Sequence, residues 1–394
     1  MVVLVLGGGY AGVTLARKLE RRLDDGHELL VVDDDGQHVL QHELHRVVRN
    51  PAIADEIGMD LEAVLDRATV RVAEVAEVDA EARIVALADG EALSYDVCAV
   101  AIGAAPMLDV PGVAEHGIPL KRLDHARRIH ERAGELLADD GGHVVVGGAG
   151  LSGVQVAGEL AVVAAGADSA ANDDARNDDA SVEDPTLRVT LLEQAHDVAP
   201  GFEAPFRGAI RAALEERGID VRTNATVERA TESAVELERG GSIEHDLLVW
   251  TGGIAGQDAL DGDRPVVDDR LLLGDRTFGL GDAVRAIDRD GAAVPATAQA
   301  AVRQAETVAT NVERLLEGGD TFEPRLDRFA FDPPGWVVSV GDGAVAQVGP
   351  TVVTGKAAVA LKASVGVGYL SSVGALREAV DLVNQELGLA VGND

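Results

Sequence analysis

Val2-Val3-Leu4-Val5-Leu6-Gly7-Gly8-Gly9-Tyr10-Ala11-Gly12 opens the chain, an unbroken apolar run that meets the pattern Gly7-x-Gly9-x-x-Gly12. Apolar residues at both parities read as a strand buried on both faces. Val13 to Leu23 then reads as a helix and Glu28 to Val32 as a second strand, ended by Asp33. Each glycine has its own task in such a βαβ unit. Gly7 allows the tight turn, Gly9 lets a pyrophosphate approach the backbone, and Gly12 lets helix pack on strand. Tyr10 and Ala11, between the second and third glycines, are further candidate cofactor contacts, because the phosphate sits at the N-terminus of the helix that follows. Asp33, roughly 20 residues on, is placed to accept the ribose hydroxyls of an adenosine.

The same device recurs. Val144-Val145-Val146 is a strand, Gly148-x-Gly150-x-x-Gly153 the loop, and Val154 to Val163 the helix. Leu187 to Leu192 is the next strand, and Glu193 ends it. A carboxylate there repels a 2′-phosphate and bonds a 2′-hydroxyl, so NADH is expected over NADPH. Two fingerprints imply two dinucleotides. FAD with NADH is the pairing that permits two-electron hydride chemistry without a metal. The expected fold is α/β, with two Rossmann-like dinucleotide-binding domains and a small C-terminal α+β segment.

The organisation follows from the pattern. Residues 1–112 and 254–325 form a discontinuous FAD-binding domain, residues 113–253 the NADH-binding domain, and residues 326–394 a C-terminal membrane-association or dimer segment. Residues 70–100 read as short strands, and Pro295 to Leu316 as a long helix. Residues 164–186 are rich in Asp, Asn, Ala and Ser, which predicts a solvated, disordered insertion. Lys356 to Leu389 is a Gly-interrupted amphipathic stretch.

Across 394 residues, 68 acidic and 34 basic side chains give a formal charge of −34, and only four residues are lysine. Such a surface repels itself in dilute salt and is screened at molar salt, which points to a halophile's cytoplasm. Nucleic acid is excluded as a partner, because phosphate binding needs basic patches. Cys98 is the one cysteine, so neither a disulfide nor a Cys-x-x-Cys redox centre can form. Met1 leads straight into a strand, so no signal peptide is expected. No apolar run reaches spanning length.

Several stretches resemble the two-dinucleotide-binding-domain flavoproteins, most closely the type II NADH:quinone oxidoreductases. Tyr95-Asp96 to Ala101-Ile102-Gly103 looks like the segment that approaches the flavin, with Ile102 where that family usually has Thr. Val110-Pro111-Gly112-Val113 with Pro119-Leu120-Lys121 is similar to the crossover into the second domain, and Val249-Trp250-Thr251-Gly252-Gly253 to the return beside the nicotinamide. Gly158-Glu159-Leu160 matches the family's Gly-Glu-Leu. Gly279-Leu280-Gly281-Asp282-Ala283 resembles the segment whose Asp bonds the ribityl chain, and Ala298-Gln299-Ala300-Ala301 the helix start at the quinone end. Arg303 stands where the family has Gln, with Gln304 one step later. Val75, Gly103, Asp282 and Ala298 are the further FAD contacts this resemblance implies, and Gly253 is the nicotinamide-side contact.

The resemblance implies hydride transfer from NADH to FAD and then two electrons to a quinone, without proton pumping. Glu159 would sit by the nicotinamide and flavin, with Gln299 and Gln304 at the acceptor face. The alternative is a soluble flavin reductase serving a small electron-carrier protein or oxygen. A sulfide:quinone oxidoreductase relative is disfavoured, since that group relies on cysteines absent here. His38, Gln41, His42, Glu43 and His45 form a tempting metal cluster, but flavin-proximal packing is the expectation and no metal is assigned. Lys356 and Lys362 in the tail would meet anionic lipid on the inner face of the cell membrane. The competing role for that tail is packing on the core or on the second subunit of a homodimer.

Overall fold

The computed structural model describes residues 1–139, 141–174, 187–318 and 324–372. Val2–Leu6 lies at the centre of a six-stranded sheet, between Val97–Val100 and Glu28–Asp33. Thr69–Val72 flanks one side and the hairpin Leu272–Gly274/Thr277–Gly279 the other. All these pairings are parallel except that hairpin. Val3, Leu4, Val5 and Leu6 are all buried, as expected of a strand covered on both faces. Helices Tyr10–Arg22 and Ala298–Glu317 pack against each other.

A second, five-stranded sheet is wholly parallel. Its order is Gly117–Pro119, Leu247–Trp250, Gly142–Gly147, Leu187–Glu193, Asp220–Thr223. Each parallel sheet carries an antiparallel three-stranded companion. These are Val75–Asp79, Ile84–Leu87 and Ala92–Ser94 in the first, and Val227–Ala230, Ala234–Leu237 and Gly241–Glu244 in the second. The chain crosses between sheets twice, and the crossovers pair as a short antiparallel ribbon, Ala105–Pro106 with Ile254–Ala255. The C-terminal part is a three-stranded antiparallel sheet, Gly335–Val340, Gly343–Val348 and Thr351–Thr354, followed by helix Lys356–Ser372.

The insertion departs from expectation. The helix after the second fingerprint runs Leu151–Asp174, so residues 164–174 are helical rather than irregular. Ala-rich sequence needs no amphipathic stripe to favour helix. The remainder of that insertion, and the end of the amphipathic tail beyond Ser372, lie outside the described residues. Among the described residues no helix is long and apolar enough to cross a membrane.

Candidate active site

At the first fingerprint the backbone leaves no alternative to glycine at two positions. Gly7 has φ +101°, and a Cβ there would collide with the Ala101 carbonyl. A Cβ on Gly12 would strike the Gly7 carbonyl oxygen. Gly9 is different, because a Cβ there would meet nothing within 4 Å. The second fingerprint repeats the pattern. Gly148 has φ +93° against Gly252, Gly153 abuts the Gly148 carbonyl, and Gly150 faces open space. Both middle glycines thus border room that the polypeptide does not fill, which is where a pyrophosphate would rest.

The acids that end the second strands are engaged alike. Asp33 accepts hydrogen bonds from the N–H groups of Gly8 at 2.6 Å and Gly36 at 2.9 Å. Burial raises its carboxyl to about 6, against the pull of the Gly8 N–H. Glu193, buried, accepts from Ala149 N–H and Ala195 N–H, both at 2.8 Å. Each acid therefore ties its glycine loop to the end of the neighbouring strand. Asp33 also accepts the Asp35 N–H at 3.3 Å; a carboxylate has about four acceptor positions, so three backbone bonds at Asp33 and two at Glu193 still leave capacity for a ribose hydroxyl. Asp33, Asp34 and Asp35 bring carboxylate oxygens within 4.8 Å of one another, an acidic cluster with no ion assigned to it.

A cavity of about 740 Å³ begins at Gly7, Gly9, Tyr10 and Ala11 and passes Asp33, Val75, Gly103, Asp282 and Ala298. It reaches Leu151, Ser152 and Gln155 of the second domain. Gly253, Gly148, Gly150 and Gly153 do not line it, although Ile254, Leu151 and Ser152 beside them do. Lys121, on the crossover, lines the same cavity and pairs with Asp282 at 3.1 Å. Arg264 holds the Asp282 carbonyl at 2.6 Å.

The three residues expected to be catalytic sit elsewhere. Gln304 is buried, and its Oε1 accepts the Gly281 N–H at 2.6 Å. It fixes the loop that carries Asp282 and does not line the cavity. Gln299 does not line the cavity, and its Oε1 is buried without a hydrogen-bond partner among the described residues. Arg303 donates to the Asp332 carbonyl at 2.7 Å. Glu159 lies one helical turn beyond Gln155, outside the cavity wall, with Arg49 Nε at 3.1 Å and His45 Nε2 at 3.8 Å. Burial raises its carboxyl to about 7, with Arg49, Lys362 and Arg46 opposing.

The histidine cluster is a packing node that the tail completes. Glu43 is buried with Lys362 Nζ at 3.0 Å, His42 Nε2 at 3.1 Å and Arg46 Nη1 at 3.2 Å. Burial alone would raise the Glu43 carboxyl, but Lys362 and His42 hold it well below the usual range. Lys362 is therefore not a lipid-facing cation. It is buried, and it lines the cavity beside Val365. Lys356 stays exposed. Tyr10 bonds His42 Nδ1 through its hydroxyl. These contacts join parts of the chain too far apart for local pattern to reveal. The scarcity of lysine was the one available hint.

The family description of pyridine nucleotide-disulphide oxidoreductases matches residues 1–305. A type II NADH:quinone oxidoreductase of Staphylococcus aureus (strain NCTC 8325 / PS 47) is 26% identical over 388 residues, covering 91% of this chain and 92% of the relative. Among solved structures, NDH2 from Plasmodium falciparum in complex with NADH superposes with a TM-score of 0.81 at 13% identity, covering 99% of each chain. The sulfide:quinone oxidoreductase of Aquifex aeolicus superposes at 0.77 with 17% identity, covering 99% of this chain and 96% of that one.

Proposed function

Because the chain belongs to the pyridine nucleotide-disulphide oxidoreductase family, we propose that it oxidises NADH through a bound FAD and delivers two electrons to a quinone. One observation carries this reading. A continuous cavity joins the open glycine of the first fingerprint to Ser152 and Gln155, at the helix that begins after the second. A dinucleotide laid along it from the first fingerprint would carry its ring end toward that helix, where a second dinucleotide on Gly148 to Gly153 could present its own ring.

FAD would be held by Gly7, Gly9, Tyr10, Ala11, Gly12, Asp33, Val75, Gly103, Asp282 and Ala298. NADH would be held by Gly148, Gly150, Gly153, Glu193 and Gly253. Bound there, FAD supplies the two-electron acceptor that protein side chains lack. The chain's own contribution is placement. Lys121 and Asp282 hold each other at the cavity wall, and Gln304 fixes the Gly281 peptide next to them. Holding both ring systems in register removes the entropic cost of their encounter. Glu159, one turn behind Gln155, is suited to hold or release a proton near neutral pH rather than to touch the rings.

The exit of electrons follows from Cys98. It is fully buried, and burial pushes its thiol pKa up. With no second cysteine in the chain, no dithiol can relay the electrons. A diffusible acceptor must take them, and a quinone is the acceptor that the Staphylococcus aureus relative's name carries. Exposed Leu361 and Val365 on the C-terminal helix suit a peripheral position on the inner membrane face, where such an acceptor dissolves. The test is steady-state NADH oxidation with a soluble short-chain quinone in high salt. One quinol formed per NADH consumed supports the reading. Turnover with oxygen or a carrier protein but none with quinone sinks it.

A further inference from the structure

Gly8 is the tip of the first glycine loop, and it is pinned on both sides. Its N–H donates to Asp33 Oδ2 at 2.6 Å. Its carbonyl accepts from His38 Nδ1 at 2.8 Å. A carbonyl can only accept, so the Nδ1 of His38 carries the proton and Nε2 presents a lone pair. The hydroxyl of Tyr369, on the C-terminal helix, lies 3.0 Å from that Nε2 and must donate to it. His38 is fully buried, and burial lowers its pKa to about 4, which keeps this neutral tautomer in place.

The Gly8 carbonyl and the Gly9 N–H belong to one planar peptide unit. In a trans peptide they point in opposite directions. Holding the carbonyl toward His38 therefore sets the direction of the Gly9 N–H, at the glycine whose Cβ position is open. The tyrosine ring is itself held, 4.8 Å from the ring of Tyr10 in an edge arrangement. A side chain 331 positions along the chain from His38 thus reaches the phosphate loop through one imidazole.

We infer that Tyr369 and His38 are positioning residues for the first dinucleotide, so that seating of the C-terminal helix and retention of FAD are coupled. The coupling is reciprocal. Whatever favours FAD binding favours the docked helix by the same factor. The inference rests on FAD occupying the first site as proposed above.

The test titrates full-length apoprotein with FAD by flavin fluorescence, with Tyr369→Phe, His38→Asn and the double variant. Phe keeps the ring contact with Tyr10 and deletes the hydroxyl, with its bonds to His38 and to Thr14; Thr14→Val as a control removes the second bond alone. Asn keeps a donor for the Gly8 carbonyl and cuts the link to Tyr369. Losing one neutral buried hydrogen bond predicts about a fivefold rise in the FAD Kd for Tyr369→Phe. The double variant should bind no more weakly than His38→Asn alone, because that link is already cut. FAD should also slow protease cleavage within Lys356–Ser372 in the wild type, and less so in Tyr369→Phe. Unchanged FAD affinity in Tyr369→Phe, or additive effects in the double variant, overturns the coupling while leaving the FAD site intact. A wild-type apoprotein that takes up no FAD overturns the reading beneath it as well.

Discussion

Replacing Lys362 with Met should loosen the C-terminal helix from the body of the protein. The ammonium lies 3.0 Å from both carboxylate oxygens of Glu43. Glu43 is only 1% exposed, so its charge has no recourse to water. Removing one partner of a buried pair costs about 3–5 kcal/mol, mostly for the charge left behind. Here Arg46 and His42 stay beside Glu43, at 3.2 and 3.1 Å. The expected cost is therefore about 2–3 kcal/mol, below that range. A docked terminal helix opens as a local unit, so the population of undocked helix should rise about 30- to 150-fold at 1.4 kcal/mol per decade. Hydrogen exchange of the amides in Lys356–Ser372 reads this directly. Adding Glu43→Gln removes the orphaned charge, so the double variant should recover more than half of the loss. The pH dependence has a fixed sign. Glu43 has a depressed pKa, so its contribution is full above the ordinary carboxylate value of 4.5 and is lost as pH falls below it. Glu43→Gln should flatten that acid limb. Wild-type exchange rates in Lys362→Met, or a double variant as loose as the single one, would refute the reasoning.

Gly9→Ala should fold with wild-type stability yet lose FAD, because its Cβ enters open space, whereas Gly12→Ala should fail to fold through collision with the Gly7 carbonyl; thermal melts and flavin content separate the two. Gly150→Ala should raise the KM for NADH about tenfold or more, a 1.4 kcal/mol effect, with flavin content unchanged. Glu159 has a folded pKa of about 7, above its ordinary 4.5, so wild-type stability should decline as pH rises through that window. Glu159→Gln should remove this slope in urea titrations followed from pH 4.5 to 8. The formal charge of −34 predicts a melting temperature that climbs with KCl into the molar range, and a flat response would show that self-repulsion is not limiting.

Both glycine fingerprints were legible from their spacing, and part of their constraint is local: Gly12 and Gly153 abut the carbonyls of Gly7 and Gly148 in the same loops. The residues that crowd the turn glycines are distant in sequence, Ala101 against Gly7 and Gly252 against Gly148, and no local pattern names them. Asp33 and Glu193 end the strands expected, although their role as anchors for the loops was not visible. Helix boundaries were less so. The first helix begins at Tyr10 rather than Val13, because the Gly9 carbonyl already accepts the Val13 N–H at 3.0 Å. Polar composition after residue 164 disguised a helix rich in alanine. The bond of Gln304 to the Gly281 peptide, 23 positions away, was not legible, because helix phase alone does not reveal a bond to another element. The tail is the extreme case. Lys362 meets Glu43 across 319 positions, so nothing in an amphipathic pattern separates a buried ion pair from a lipid contact.

Anaerobic addition of NADH to the purified protein tests the central claim most directly. The protein should be yellow, and one equivalent of NADH per flavin should bleach it within a single turnover, before any acceptor is present. A yellow protein that NADH leaves unbleached, or a protein that carries no flavin at all, would contradict two dinucleotides meeting ring to ring.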